Sequence, residues 1–472
     1  METGTESLIS HLKSVLLELN ANPYPEVPCP PNTPRRASVA IILRIQPNYS
    51  HWPAISSALP PIQHPSTGRR KSSSASSTHK LSFQSILDAF FSQDWVRHGD
   101  PEMLFIKRAT REGDKWNGHV ALPGGKRDPE DADDEVTAVR EAMEEVGIDL
   151  SYAHALAVGN LPQRVVTTSW GKVPLMVLCP YVYLLTSPEY PAQRLQPTEV
   201  ASTHWVSLRA LMSPALRTYE YADVSNRLAK SELGIKRWFL QTMLSQMMFA
   251  AIRLVPSAST YCSSIPGFIP APDSAHHNTA FGKLKEVLLG PETAYPTARQ
   301  RPPLLLLWGL TLGVVSDFLE HIPPHNALEL WTYPTFTNWD VRFTMWAMSY
   351  RFRKRKAAEM SSTEVRNRTV GTAHDGPTVD DDVSRGNLPE QVSDDATGQE
   401  KPGEVGIAGL GVGRDWGRRG RDKMIARGAA VNSMLEGYYP IVRRAVAVAL
   451  IGRLSLVSLV LAYLWKRYRR NT

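Results

Sequence analysis

The chain has 472 residues, of which 42% are hydrophobic and 21% charged, and it carries a formal net charge of +7. This length admits two or three domains, but proline, serine and charge are concentrated in particular segments, which indicates globular parts separated by linkers. The three cysteines, Cys29, Cys179 and Cys262, lie far apart, which argues against a disulfide framework or a zinc site and fits a reducing compartment. The positive charge comes without a zinc-finger or basic-aromatic pattern, so no nucleic-acid partner is expected.

The N-terminal part predicts a helix followed by a buried strand. Residues 7–19 have apolar side chains at helical spacing, without the uninterrupted apolar core of a secretion signal. This predicted helix and the Pro-rich residues that follow it form an N-terminal segment, residues 1–35, ahead of the first predicted strand. Residues 38–45 are β-branched and uncharged up to Arg44, which favours a strand. Residues 46–80 are rich in Ser and Pro and predict a flexible insertion.

The middle of the chain predicts an α/β fold. Helical spacing returns at 81–96. Four apolar segments predict strands, at 102–108, 155–161, 174–185 and 201–206. Because predicted strands precede and follow a central helix, we expect a mixed sheet covered by helices.

A glycine pair and an acidic helix follow one another in residues 121–150. Gly124 and Gly125 close a strand-like segment and permit a tight turn of the backbone. Gly147 stands where a helix favours a left-handed C-terminal residue. The predicted unit is therefore a strand, a glycine turn, an acid-rich loop, a helix and a glycine stop.

Three glutamates, Glu141, Glu144 and Glu145, share one face of this helix, because residues three and four apart are neighbours on a helix surface. The opposite face is predicted to pack in the core with four apolar residues, Val136, Val139, Met143 and Val146. Like charges on one face repel each other, so a cation is expected beside them. Carboxylates suit Mg²⁺ or Mn²⁺, which proteins hold through a few oxygens, waters and substrate phosphates.

This segment resembles the signature of the Nudix hydrolase family, in which a glycine and a loop acid precede Arg-Glu-x-x-Glu-Glu-x-Gly and an apolar residue. The matching residues are Gly125, Arg140, Glu141, Glu144, Glu145, Gly147 and Ile148. The loop acid is Asp131 or Glu130, and the interval from Gly125 to Arg140 is one residue longer than in the common form. The longer interval resembles the coenzyme A diphosphatase branch of the family.

The resemblance implies a Nudix-type α/β/α sandwich with a mixed sheet and a metal-dependent diphosphatase activity. It implies that Mg²⁺ or Mn²⁺ is held by four acids, Glu141, Glu144, Glu145 and Asp131. Glu144 and Glu145 are the implied catalytic residues, and Arg140 is implied to orient the glutamates through charge-assisted hydrogen bonds.

Substrate contacts are implied around the glycine turn, at Gly124, Gly125, Trp116 and His119, where the match to the coenzyme A branch is partial. Glu199 precedes the last predicted core strand and resembles an acid that the family has there. It either assists the metal, acts as a base, or is a structural carboxylate that binds loop amides.

The branch resemblance implies coenzyme A or its thioesters as substrate, cleaved to 3′,5′-ADP and a phosphopantetheine compound. ADP-ribose or a dinucleotide is the alternative among small-molecule nucleotide substrates. A membrane-tethered binding or scaffold protein without turnover is an alternative of another class. The intact glutamate cluster argues against it, since a domain freed from catalysis need not keep groups that repel each other.

The C-terminal half predicts one more core element and several non-globular segments. Residues 255–300 are rich in Pro and Ser and predict a second flexible insertion, whereas 303–315 predict a strand leading into a core helix. That helix would close a catalytic domain covering 36–325. Residues 326–356 predict an aromatic and basic appendage, and 357–430 lack apolar periodicity and predict a disordered linker.

Residues 445–465 form an apolar stretch of 21 residues, enough to cross about 30 Å of hydrocarbon at about 1.5 Å per residue. Arg453 opposes insertion by roughly 2.5–3.5 kcal/mol, which the aliphatic residues outweigh. The position resembles that of a tail anchor, with the catalytic domain facing the cytosol from a peroxisomal, mitochondrial outer or endoplasmic reticulum membrane. An amphipathic helix lying in the interface is the alternative.

Overall fold

The computed structural model divides the chain into two compact units. The first consists of Met1–Val166, Leu175–Ala222 and Met248–Pro334, and the second of Thr167–Pro174, Asp223–Met247 and Thr335–Thr472. The residues that the structure describes are 2–30, 35–53, 82–110, 118–151, 155–168, 173–189, 191–222, 246–264, 305–325, 327, 332–371 and 437–471.

The described part of the chain up to residue 320 contains both helices and strands. The described helices are α1 (Glu2–Ala21), α2 (Phe83–Phe91), α3 (Asp94–Arg97), α4 (Asp134–Val146), α5 (Leu208–Met212) and α6 (Gly309–Glu320). The described strands are β1 (Arg36–Gln46), β2 (Asp100–Arg108), β3 (Val120–Ala121), β4 (Gly124–Lys126), β5 (Ala155–Asn160), β6 (Arg164–Thr168), β7 (Val173–Leu185), β8 (Val200–Ser207), β9 (Arg217–Ala222), β10 (Met247–Arg253), β11 (Ala258–Tyr261) and β12 (Leu306–Trp308). The helices and strands predicted between residues 7 and 206 are thus confirmed.

The main sheet is mixed, as the sequence predicts. Its strand order is β11-β8-β2-β1-β7-β5, with β3 on β2, β4 on β1 and β6 on β7. Strand β1 runs parallel to β7, with Ser38 opposite Cys179, and antiparallel to β2, with Leu43 opposite Met103. Strand β1 also pairs with β4, where Ser38 lies opposite Gly125. Gly124 and Gly125, which the sequence predicts as a turn, thus begin a short strand that pairs with the central strand.

Helix α4 packs on the sheet through a face that differs from the predicted one. Val136 and Met143 are 42% and 52% exposed, so their assignment to the packing face was wrong. The buried face instead contains Ala138, Ala142 and Val146, which pack in one core with residues of β1, β2, β7 and β8. Alanines bring the helix backbone close to the sheet, and this rotation carries part of the glutamate face inward.

Helix α1 and the residues that follow it belong to the first unit. Asn20 donates a side-chain hydrogen bond to the Val158 carbonyl at 2.9 Å. Asn160 accepts from the Tyr24 backbone N–H at 2.9 Å and donates to the Tyr24 carbonyl at 2.8 Å. The N-terminal segment, predicted as a separate part of the chain, is therefore bonded to β5 of the sheet.

The two predicted insertions are described only in part, whereas the predicted closing helix is fully described. Residues 54–81 and 265–304, which make up most of both insertions, lie outside the described residues. The start of the second insertion is not a loop, because β11 pairs with β8, Ser259 opposite His204. The predicted strand and core helix at 303–315 are confirmed as β12 and α6.

The second unit contains β13 (Thr335–Phe336) and two long helices, α7 (Trp339–Gly371) and α8 (Tyr438–Asn471). The two helices pack antiparallel, since Thr344 contacts Ala445 whereas Phe352 contacts Tyr438. Helix α7 covers residues 339–356 of the predicted appendage and also residues 357–371, where the sequence predicts disordered linker. The rest of that linker lies outside the described residues. Helix α8 contains the predicted anchor and is long and apolar enough to cross a membrane.

Candidate active site

The ends of α4 are fixed by local hydrogen bonds that the sequence encodes. Asp133 caps the N-terminus by accepting from the Val136 backbone N–H at 2.8 Å. Gly147 ends the helix with a φ of 74°, and its N–H donates to the Met143 carbonyl at 3.0 Å. A side chain at Gly147 would also lie 2.6 Å from the Arg194 backbone nitrogen. The predicted glycine stop is thus present, for two separate reasons.

An ion pair that the sequence did not indicate attaches the first turn of α4 to β1. Arg36 Nε lies 2.9 and 2.7 Å from the two carboxylate oxygens of Asp134. Arg36 also donates to the Val27 carbonyl at 2.9 Å and to Gln163 at 2.7 Å. The pKa of Asp134 is lowered: burial, the largest single cause, acts to raise it, but the hydrogen bond and charge of Arg36, the Cys179 hydrogen bond and the charge of Arg127 together outweigh burial. The helix is therefore held at a fixed position on the sheet.

Arg140 lies at the centre of the signature and is bound by Asp131. Its Nε and Nη2 donate to Asp131 Oδ1 and Oδ2 at 3.1 and 3.0 Å, and Nη2 also donates to the Lys126 carbonyl at 3.0 Å. Its Nη1 lies 3.1 Å from both Glu141 and Glu144. The guanidinium therefore contacts two of the three glutamates.

Asp131 has a different position from the one that the sequence suggested. It is 7% exposed, and besides Arg140 it accepts hydrogen bonds from the Asp128 backbone N–H at 3.0 Å and from Thr137 Oγ1 at 2.9 Å. The Arg140 hydrogen bonds in particular lower the pKa of Asp131 to about 2. Both of its oxygens thus accept hydrogen bonds from protein donors, and Asp131 binds Arg140 in this structure.

Glu141 lies against the glycine turn. A side chain at Gly125 would collide with the Glu141 carboxylate, so only glycine leaves room for it. Burial raises the pKa of Glu141, and the charges of Glu144 and Glu199 raise it further, while Arg140 lowers it. Burial and the neighbouring carboxylates therefore outweigh the positive charge of Arg140 beside this carboxylate.

Glu145 is the most deeply buried of the three glutamates. It is 2% exposed, and its Oε2 accepts the Gly124 backbone N–H at 2.8 Å. Burial is the main cause that raises the pKa of Glu145 to about 8, and the negative charges of Glu141 and Glu199 add to it. The Gly124 hydrogen bond and the charge of Arg108 act in the opposite direction. An acid of this kind would be ionised at neutral pH only with a cation beside it.

Glu144 and Glu199 complete the acidic cluster. The side chain of Glu144 is 53% exposed and is bound on one side by Arg140. Glu199 is half-buried, and its carbonyl accepts the Ala109 N–H at 2.8 Å, directly after β2. Its charge reaches both Glu141 and Glu145. The structure thus brings Glu199 to the glutamate face, where the sequence left its role open.

The substrate contacts implied by the sequence are described in part. Trp116 lies outside the described residues. His119 lies at the start of β3, and its ring is tilted against Trp308, with 5.0 Å between the ring centroids. Phe249 contacts the same Trp308 at 5.5 Å. No local sequence pattern predicts this aromatic cluster, because His119, Phe249 and Trp308 come from three distant segments. The only local signal is Trp308, the aromatic residue directly before α6.

The donor set fits a hard divalent cation. Glu141, Glu144 and Glu145 supply only carboxylate oxygens, which Mg²⁺ and Mn²⁺ prefer. Two of these acids have raised pKa values because burial and neighbouring carboxylates oppose their ionisation. A bound cation would lower the pKa values of Glu141 and Glu145, since an opposite charge favours the ionised form of an acid.

Comparisons with known proteins agree with this site. A NUDIX domain profile matches residues 95–228. The "Uncharacterized protein C14C4.10c" of Schizosaccharomyces pombe is 34% identical over 259 residues, which are 54% of this chain and 67% of that protein. The "Mitochondrial coenzyme A diphosphatase NUDT8" of Mus musculus is 40% identical over 60 residues, 13% of this chain and 29% of that protein. "Nudix hydrolase 15, mitochondrial" of Arabidopsis thaliana is 45% identical over 53 residues, 11% of this chain and 18% of that protein.

The residues matched by the profile include the glycine turn, Arg140 and the three glutamates. The chain belongs to the Nudix hydrolase family.

Proposed function

We propose that the chain hydrolyses the diphosphate bond of a nucleoside diphosphate linked to a second group, and that it requires Mg²⁺ or Mn²⁺. The observation that carries this proposal is Glu145. It is buried, joined to the glycine turn through the Gly124 N–H, and has its pKa raised to about 8 by burial and by its acidic neighbours. Acids whose pKa is shifted by burial and by like charges are concentrated at functional sites.

Three residues would hold the cation: Glu141, Glu144 and Glu145. When bound, it would neutralise phosphate oxygens and make a water more acidic. Arg140 keeps Glu141 and Glu144 oriented through one guanidinium nitrogen. Glu145 Oε2 is engaged by the Gly124 N–H, which leaves Oε1 as the atom that would accept the proton of the attacking water.

The proposed substrate is coenzyme A or an acyl-coenzyme A. A water oxygen attacks one phosphorus, the bond from that phosphorus to the bridging oxygen breaks, and the water proton leaves through the base. The products are 3′,5′-ADP and phosphopantetheine or its acyl form. Support comes from the longer interval between Gly125 and Arg140 and from the short match to the mouse coenzyme A diphosphatase. ADP-ribose and dinucleotides share the bond that is cut, so they are the competing substrates.

We also propose that α8 anchors the enzyme in a membrane, with the catalytic unit on the cytosolic face. Support comes from its length and from the exposed aliphatic residues between Leu454 and Trp465. Peroxisomal, mitochondrial outer and endoplasmic reticulum membranes all suit such an anchor.

A substrate panel tests the proposed activity. The detergent-solubilised full chain is incubated with coenzyme A, acetyl-coenzyme A, ADP-ribose and NADH, each with Mg²⁺, with Mn²⁺ and with EDTA. We expect metal-dependent release of 3′,5′-ADP from coenzyme A, and a loss of at least about 100-fold in Glu144→Gln. Turnover in EDTA, or full activity in Glu144→Gln, would reject the metal assignment. No turnover of any substrate would favour the scaffold alternative.

A further inference from the structure

Two histidines and an aspartate lie together after the end of β1, apart from the glutamate cluster. His51 ends a short 3₁₀ helix, Tyr49–His51, that follows β1, whereas Asp94 begins α3 and His98 directly follows α3. One nitrogen of each imidazole and one carboxylate oxygen of Asp94 lie within 4.8 Å of one another. The fold therefore gathers three metal-binding side chains from two segments that are distant in the sequence.

The ring of His98 is held in the manner of a metal ligand. Its Nδ1 donates to the Asp94 carbonyl at 3.0 Å and lies 3.3 Å from the Asp94 carboxylate. Histidines that bind metals usually donate one ring N–H to a carbonyl or a carboxylate, because this bond fixes the tautomer and the orientation of the ring. The side chains of His98 and Asp94 are 27% and 71% exposed, so an ion can reach both from solvent.

His51 contributes a buried nitrogen that makes no hydrogen bond. Within the described residues, its Nδ1 is shielded from solvent and has no donor or acceptor at hydrogen-bond distance. Buried polar atoms are nearly always hydrogen-bonded, so each exception requires an explanation. An ion bound beside His51 would give this nitrogen a partner.

We propose that His51, Asp94 and His98 bind a divalent transition-metal ion of the zinc type. Imidazole nitrogens suit Zn²⁺, Ni²⁺ and Cu²⁺, whereas Mg²⁺ and Mn²⁺ prefer the all-oxygen set that the glutamates supply. Two imidazoles and one carboxylate provide three of the four ligands of a tetrahedral site, and a water completes it. Such a site uses no cysteine, so the spacing of the three cysteines does not bear on it.

Binding includes a rotation of one ring. The imidazoles of His51 and His98 are stacked, with centroids 3.9 Å apart and 9° between their planes. The lone pair of an imidazole nitrogen lies in the plane of its ring, so two parallel rings do not direct their lone pairs at one point. Rotation of one ring about its Cβ–Cγ bond, a torsion with a broad energy profile, directs both at a shared ion while the backbone stays in place.

This site is separate from the glutamate cluster. On β1, Val39 lies opposite Gly124, whereas the 3₁₀ helix with His51 follows Gln46 at the other end of the strand. The strand between Val39 and Gln46 is about 23 Å long, at about 3.3 Å per residue. The inference therefore does not depend on the proposed diphosphatase activity.

Zinc titration of the detergent-solubilised full chain tests the proposal. Calorimetry at neutral pH with millimolar Mg²⁺ present should show one Zn²⁺ bound per chain with a micromolar Kd. His98→Gln and Asp94→Asn should each weaken binding at least about tenfold. His11→Gln is the matched control, because His11 lies in α1 and outside the cluster, and it should bind Zn²⁺ as the wild type does. The unfolding temperature without Zn²⁺ shows that each variant is folded.

Co²⁺ in place of Zn²⁺ distinguishes this site from the glutamates. A four-coordinate Co²⁺ site absorbs visible light strongly, so the band should appear in the wild type and in Glu144→Gln and be absent from His51→Gln and His98→Gln. A band that is lost in Glu144→Gln would place the ion at the glutamates and overturn the inference. Zinc binding that persists in His98→Gln and Asp94→Asn, or that requires millimolar Zn²⁺ in the wild type, would also overturn it.

Discussion

Arg140 donates two hydrogen bonds to Asp131, at 3.1 and 3.0 Å, and the same guanidinium lies 3.1 Å from both Glu141 and Glu144. The buried Asp131 therefore holds the Arg140 guanidinium in place, and this guanidinium contacts Glu141 and Glu144. The acid-rich loop is thereby tied to the helix that follows it. A metal site that uses Glu141 and Glu144 depends on this arrangement, because free carboxylates would repel each other and separate.

Replacing Arg140 by lysine should impair activity far more than folding. Lysine retains the charge but cannot bind Asp131 through two parallel hydrogen bonds. We expect kcat/KM to fall by about 10- to 100-fold, as is usual when a group that orients metal ligands is lost. The apparent affinity for Mn²⁺ should fall with it, measured by titrating activity with the metal. Wild-type kinetics in Arg140→Lys would show that Arg140 orients nothing that catalysis needs.

A methyl group at Gly125 should displace Glu141. Because a Cβ there would collide with the Glu141 carboxylate, Gly125→Ala should abolish most activity while the thermal unfolding transition remains cooperative. Gly452→Ala is the matched control, since a Cβ at Gly452 meets nothing within 4 Å. Equal loss of activity in both variants would contradict the explanation.

The buried ion pair between Arg164 and Asp317 offers a stability test in the first unit. Both side chains are fully buried, and they contact each other. Asp317→Ala should lower the free energy of unfolding by about 3–5 kcal/mol, because it leaves the Arg164 charge buried without its partner. Adding Arg164→Leu should recover much of that loss. Chemical denaturation of the three chains measures both effects, and a double variant less stable than Asp317→Ala would argue against this account.

His204 should make the first unit sensitive to mild acid. It is 1% exposed, and its ring nitrogens lie 2.8 Å from the hydroxyls of Ser202 and Ser259. Burial, helped by the charge of Lys107, lowers the pKa of His204 from 6.5 to about 4. The unfolded chain therefore binds a proton at higher pH than the folded one. The stability that neutral His204 provides is complete above pH 6.5 and is lost as pH falls towards 4.

The expected size of this effect at pH 5 is about 2 kcal/mol, from about 1.4 kcal/mol for each pH unit below 6.5. Unfolding of wild type and His204→Gln at pH 7 and pH 5 measures it, since other groups titrate equally in both chains. The wild type should lose more stability than the variant on acidification. An equal loss would mean that His204 does not remain neutral in the folded chain.

Local patterns in the sequence predicted most of the catalytic fold. The β-branched run of β1 and the caps of α4 depend on residues close together in the chain, so they could be recognised there. The identity of the glutamate face was also visible, because helical spacing alone places Glu141, Glu144 and Glu145 together.

What the sequence could not supply depends on contacts between distant segments. The rotation of α4 is set by how closely Ala138 and Ala142 approach the sheet, and hydrophobicity favoured Val136 and Met143 instead. The hydrogen-bond partner of Asp131 could not be read from the sequence either. In the structure, Arg140 donates to both of its carboxylate oxygens.

The same limit applies outside the glutamate helix. The Arg36 contact with Asp134 and the pairing of Arg453 with Asp340 each join residues about a hundred positions apart. No local sequence pattern around either residue of a pair indicates its distant partner.

We expect turnover to depend on the buried acid Glu145. The measurement is the initial rate of 3′,5′-ADP release from coenzyme A with Mn²⁺, compared among the full-length wild type, Glu145→Gln and Glu135→Gln. Glu135 lies exposed in the first turn of the same helix and serves as the matched control. Glu145→Gln should be at least about 100-fold slower with an unchanged unfolding temperature, while Glu135→Gln keeps the wild-type rate. A wild-type rate in Glu145→Gln would contradict the account.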